Sequence, residues 1–153
     1  MESNIKMEGI INFLKVVNIK ITTKGNEITD DTLRAKYFQF YCAIISGNNI
    51  SEYLDLDINI LFGEYTLLII AYAHYKKDIF DILLKNANIN MQDKFGSTVL
   101  HCAVERGDID RIKQILLIKG VNVDIKDNNV LTPLNIAEKN KNIDIINLIN
   151  KYK

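Results

Sequence analysis

Few side chains in this chain are equipped for chemistry. They are His74 and His101, Cys42 and Cys102, and the acidic groups Asp30-Asp31 and Asp55-Leu56-Asp57. A metal site needs several such groups to converge, and covalent catalysis needs a nucleophile within reach of a positioned base. His101 and Cys102 are adjacent in sequence, so on a helix they point about 100° apart and do not make a metal pair. The two cysteines have no CxxC partner and no secretory context, and read as free thiols. The paired aspartates read as a helix start and a loop rather than a metal cage. The sequence contains no G-x-x-x-x-G-K-[ST] phosphate loop, no G-x-G-x-x-G and no G-x-S-x-G elbow. The expectation is a non-catalytic protein with no cofactor and no metal.

Composition narrows the class further. The 153 residues make one domain's worth of chain, and 48% hydrophobic with 25% charged residues is the balance of an ordinary folded protein. Residues 1–62 carry 6 basic and 8 acidic residues and residues 63–153 carry 13 and 11, so neither half offers a nucleic-acid surface or a polybasic membrane patch. The longest apolar run, Leu67 to Ala73, is too short to cross a bilayer, and Met1-Glu2-Ser3-Asn4 lacks the basic start of a signal sequence. A monomer located in the cytoplasm or nucleus is expected. Ile, Asn and Lys number 26, 18 and 16, an excess whose A/T-rich codons suggest an A/T-rich genome.

The elements that must position these residues repeat. Asp93-Lys94-Phe95-Gly96-Ser97-Thr98-Val99-Leu100-His101-Cys102-Ala103 lines up with Asp127-Asn128-Asn129-Val130-Leu131-Thr132-Pro133-Leu134-Asn135-Ile136-Ala137, and Thr66, Leu68 and Ala71 keep the same phase upstream. Ala87-Asn88-Ile89-Asn90 and Val121-Asn122-Val123-Asp124 precede successive repeat starts. Thr98 and Thr132 suit helix caps, Pro133 suits a first helical position, and Gly107 suits a helix end. Ile109, Ile112, Ile115 and Leu116 then mark the buried stripe of a second helix, repeated by Ile143, Ile146 and Ile149 and, earlier, by Ile79, Ile82 and Leu83. Ile10, Ile11, Phe13 and Leu14 suggest an N-terminal capping helix, and Thr22-Thr23-Lys24-Gly25-Asn26 a loop.

Gly96-Ser97-Thr98-Val99-Leu100-His101-Cys102-Ala103 resembles the G-x-T-P-L-H-x-A signature of ankyrin repeats, and Leu116-Leu117-Ile118-Lys119-Gly120-Val121-Asn122-Val123-Asp124 resembles the L-L-x-x-G-A-D-V-N that closes them. The resemblance implies an all-α solenoid of stacked helix-turn-helix units, since a lone helix pair cannot bury its apolar face. The units are a divergent N-terminal cap at 1–33, a degenerate unit at 34–62, repeats at 63–92 and 93–126, and a C-terminal capping repeat at 127–153. It further implies a concave surface for a protein partner, carried here by Tyr65, His74, Tyr75, Lys94, Phe95, Ser97, Glu105, Arg106, Asn128, Asn129 and Leu131. Together with the A/T-rich composition it suggests a viral or bacterial ankyrin protein that binds a host regulatory protein. An inhibitor of a transcription factor, similar to the NF-κB inhibitors, is the alternative, and a small enzyme using Asp30, Asp31, Tyr41 and Cys42 within residues 1–62 is a third reading.

Departures from the family pattern carry their own expectations. The surplus residue between Gly107 and Leu116 should offset or overwind the outer helix. Val130 stands where the hairpin glycine belongs, and because a β-branched residue resists positive φ, Asn128 or Asn129 is expected to turn left-handed instead. His101 alone keeps the histidine that ties adjacent loops together; Ile69 and Asn135 replace it.

Overall fold

The computed structural model describes residues 10–12, 18–23 and 26–153. They belong to two compact units, Met1–Leu83 and Leu84–Lys153.

The first unit mixes helix with a small sheet, which corrects the all-α expectation. Strands β1 (Ile21–Thr23), β2 (Asn26–Glu27), β3 (Ile60–Phe62) and β4 (Tyr65–Thr66) form an antiparallel sheet in the order β2-β1-β3-β4. Ile21 pairs with Phe62 and Thr23 with Ile60. Thr22, Thr23 and Asn26, expected in a loop, therefore lie in paired strands, while Lys24 and Gly25 fall outside the described residues. Asp57 anchors the crossing, accepting from Thr23 Oγ1 at 2.8 Å through its carboxylate while its carbonyl accepts from Tyr37 at 3.1 Å. Residues 10–12 are helical; Phe13 and Leu14 of the expected capping helix are not among the described residues.

Helix α1 (Asp31–Ser46) starts where Asp30 caps it by accepting from the Leu33 N–H at 2.6 Å. It packs on α2 (Leu67–Ala73), itself capped by Thr66. Phe40, Ile44, Ile60 and Leu67 are fully buried in this unit. Phe40 stacks on Tyr53 with ring centres 5.1 Å apart, and Tyr41 stacks on Phe62 at 4.5 Å. Helix α3 (Lys77–Asn86) follows and runs from the first unit into the second.

The second unit holds two helix pairs of one pattern: α4 (Val99–Glu105) with α5 (Ile109–Leu116), and α6 (Pro133–Lys139) with α7 (Ile143–Asn150). Helix α4 packs on α6 and α5 on α7. Leu100, Ala103, Ile112, Ile115, Ala137 and Ile149, at positions expected to be apolar, are buried. In the last helix, however, the buried partner of Ile149 is Ile145, while Ile143, expected on the stripe, is 63% exposed at the helix start. Each large buried aliphatic among them contributes about 1.5–3 kcal/mol by leaving water.

The surplus residue does not distort the outer helix, contrary to expectation. Ile109–Leu116 is an uninterrupted α-helix, and the extra length is taken up by a turn at 117–120, where the Val121 N–H donates to the Ile118 carbonyl at 3.2 Å and Gly120 adopts φ 85. An open turn on the surface costs less than forcing an extra residue into a packed helix.

Candidate binding surface

The surface begins with two aspartates that shape the hairpin tips. Asp93 Oδ1 accepts from the Phe95 and Ser97 N–H groups at 2.8 and 2.9 Å. Asp127 Oδ1 does the same for Asn129 and Leu131, both at 2.9 Å. Main-chain bonds close each loop around the carboxylate: Asp93 N–H to Ser97 O, and Asp127 N–H to Leu131 O, at 2.9 Å each. With the backbone amides held inward, the side chains at the tips face out. Lys94, Asn128 and Asn129 are exposed, and Phe95 keeps 47% of its surface in solvent.

The clamp also overrides local preference. Val130, and neither Asn128 nor Asn129, takes the left-handed conformation, at φ 65. Closing the loop on Asp127 requires a positive φ at the fourth residue, where Gly96 stands in the preceding hairpin at φ 75. Val130 accepts that cost of about 1–2 kcal/mol with its side chain 65% exposed.

Neighbouring hairpins are joined edge to edge. The Asn128 N–H donates to the Phe95 carbonyl at 3.0 Å, and its side-chain amide donates to the Lys94 carbonyl at 2.9 Å. Gln92 Nε2 bridges the Gly96 and Lys126 carbonyls at 2.6 and 2.9 Å. One level back, Asn90 donates to the Gly120 carbonyl and accepts from the Asn122 N–H, both at 2.8 Å. Neither Gln92 nor Asn90 stood out in the sequence; the recurrence of Asn or Asp at Asn90 and Asp124 was the available signal.

His101 is buried behind the tips. Its Nδ1 accepts from the Thr98 N–H at 3.1 Å, which places the ring proton on Nε2, 3.2 Å from the Leu131 carbonyl of the next hairpin. Burial pushes its pKa below the ordinary 6.5, against the pull of the Leu131 carbonyl and Asp127. Asn135 reproduces half of this arrangement: its Oδ1 accepts from the Thr132 N–H at 3.1 Å, but its amide turns back to Glu138 at 3.3 Å.

Between the two hairpins, Ser97, Glu105, Asn129 and Leu131 come together around a cleft of about 240 Å³ with His101 and Asp127 in its wall. Lys94, Phe95 and Asn128 do not line it. Arg106 is exposed at the end of α4.

Tyr65, His74 and Tyr75 lie in the first unit, all exposed. Tyr75 follows the C-cap of α2 at φ 56, the place that Gly107 takes after α4 and Lys141 after α6. Its N–H donates to Tyr72 and that of Lys76 to Ala71, the paired bonds of a Schellman end. Tyr75 thus combines a left-handed backbone with 78% exposure.

The four residues of the enzyme reading do not converge. Asp30 caps α1, Asp31 meets Arg34 at 3.4 Å, Tyr41 is stacked on Phe62, and Cys42 lies three helical turns, about 16 Å, beyond Asp31. Cys42 instead lines a cavity of about 440 Å³ with Phe38, Ser46, Glu52 and Tyr53, where burial raises its thiol pKa. Burial pushes the Cys102 thiol up to about 12, helped by Asp93 and Glu105. Both thiols are free. Among the described residues no group of three or more His, Cys, Asp or Glu is placed to hold a metal, and no helix is long and apolar enough to cross a membrane.

A family model of ankyrin repeats in three copies matches residues 67–153. A putative ankyrin repeat protein of fowlpox virus is 49% identical over 67 residues, which is 42% of this chain and 13% of that protein. One from Rickettsia bellii is 39% identical over 54 residues, 35% of this chain and 56% of the relative. The human transient receptor potential cation channel subfamily A member 1 is 32% identical over 100 residues, 63% of this chain and 8% of the channel. The chain therefore spans no more than about half the length of these relatives.

Proposed function

The chain belongs to the ankyrin repeat family, whose repeats are protein-interaction modules, and we propose that it works as a non-catalytic docking module for a host regulatory protein. The observation that carries this reading is the pair of aspartate-clamped tips. Asp93 and Asp127 fix the loop backbones while Lys94, Phe95 and Asn129 stay exposed. A surface ordered before the partner arrives loses little conformational entropy on binding, and aromatic and arginine side chains are the usual anchors of such contacts. Phe95 and Arg106 are the anchors assigned here, with Ser97, Glu105, Asn128, Asn129 and Leu131 completing the surface of the second unit. Tyr65, His74 and Tyr75 are assigned to the same task in the first unit.

The viral and bacterial relatives, together with the A/T-rich composition, support a host protein in the cytoplasm or nucleus of an infected cell as the partner. The test is affinity capture from lysates of candidate host cells by the full chain and by the double variant Phe95→Ala with Arg106→Ala. The double variant is expected to melt within a degree or two of the parent, because both side chains are exposed, and to lose the captured protein. Undiminished capture by a folded double variant overturns the reading.

A further inference from the structure

We infer that Val130 is a stacking stop: it prevents a further ankyrin hairpin, from any chain, from docking on residues 127–131 in the way that this hairpin docks on 93–97. The inference stands apart from the partner reading above.

The argument starts at Gly96, which holds the place in the preceding hairpin that Val130 holds in this one. A Cβ added to Gly96 would sit 2.6 Å from Asn128 Oδ1, 2.7 Å from the Asn128 nitrogen and 3.0 Å from the Asp127 carbonyl carbon. Two of these three atoms are backbone, so a side chain there is relieved only by moving the whole following hairpin. That hairpin is tied down on both sides of Gly96, by Asn128 bonding the Lys94 and Phe95 carbonyls and by Gln92 bridging Gly96 to Lys126. Close approach of hairpin to hairpin therefore requires glycine at this position of the lower repeat.

Val130 carries the forbidden Cβ, with two methyl groups beyond it, in nearly the same backbone conformation, φ 65 against φ 75. A second observation agrees. His101 reaches across to the next hairpin through Nε2 and the Leu131 carbonyl, whereas Asn135, its counterpart, spends its amide on Glu138 of its own helix. The glycine and the reaching ring of the 93–126 repeat thus have no counterpart in the 127–153 repeat.

The test compares four chains by urea unfolding followed by circular dichroism. Two are the full chain and its Val130→Gly variant. The others are the same two extended after Asn150 by a second copy of residues 117–153. The shift from Val130→Gly alone, read in the unextended pair, is the baseline for relief of backbone strain. With Val130 present the added copy is expected to unfold separately at low urea and to leave the main midpoint where it was. With glycine it joins a single transition at a higher midpoint than the baseline explains. Equal gain in both backgrounds, or gain in neither, overturns the inference. An independent arm uses Gly96→Ala in the full chain, which is expected to speed hydrogen exchange of the Asn128 amide at least about tenfold as the hairpins part. Unchanged protection of that amide also overturns it.

Discussion

His101 spans two repeats: its Nδ1 takes the Thr98 N–H of its own helix start and its Nε2 faces the Leu131 carbonyl at 3.2 Å. The Thr98 bond requires the neutral ring, because a proton on Nδ1 would oppose the Thr98 N–H, whereas the Nε2–H donates to the Leu131 carbonyl in either form. Burial lowers the pKa of His101 in the folded state, so the unfolded chain takes up a proton first as the pH falls. The stabilisation is fully present above about 6.5, the unfolded value, and is lost as pH falls through the lower folded value. The urea midpoint of the parent should therefore exceed that of His101→Asn clearly at pH 7.5 and by less at pH 5. A difference independent of pH would show that the ring is not coupled in this way.

Leu100 is almost fully buried in the second unit, on the helix that packs between its own outer helix and α6. Leu100→Ala should cost about 2–5 kcal/mol through lost burial and the cavity left behind. Chemical denaturation giving a loss below half a kcal/mol would mean that the site collapses without penalty.

Thr132 Oγ1 accepts the Asn135 N–H at 3.2 Å and donates to Asn135 Oδ1 at 3.0 Å. Thr132→Ala removes both contacts and should cost on the order of 1 kcal/mol, with Thr132→Ser restoring most of it. If the serine and alanine variants melt alike, the hydroxyl is not the cap.

Cys102 holds its proton up to a pKa of about 12, so at pH 8 it presents almost no thiolate. Alkylation by iodoacetamide in native buffer should leave Cys102 unmodified for as long as the chain stays folded, and urea should expose it. Peptide mapping that finds rapid native modification of Cys102 would contradict its placement.

The repeats were legible because their signals are short-range. Asp93, Thr98 and Ala103 recur as Asp127, Thr132 and Ala137, and the aliphatic stripes follow helical spacing over two turns or more. The sheet was not. Its strands are two or three residues long, too short to display an alternating period, and Ile21 is buried through pairing with a strand about forty residues away. Val130 was misread because the β-branch penalty was weighed alone, without the Asp127 carboxylate that gathers two amides and dictates the turn. The braces from Asn90 and Gln92 were missed for another reason, Asn90 leaving only its recurrence as Asp124. A side chain that bonds a distant main-chain carbonyl leaves no complementary residue type in the sequence to find.

That same reliance on main-chain acceptors bears on how such a protein changes over time. Lys94 and Phe95 lend their carbonyls to the joint between hairpins, and Phe95 lends its amide to the Asp93 clamp of its own hairpin, contributions that any non-proline residue supplies equally well. The identities of these two side chains are therefore open to drift while the frame beneath them holds, and under the proposed docking role a lineage could exchange one target for another by point substitutions at the tips.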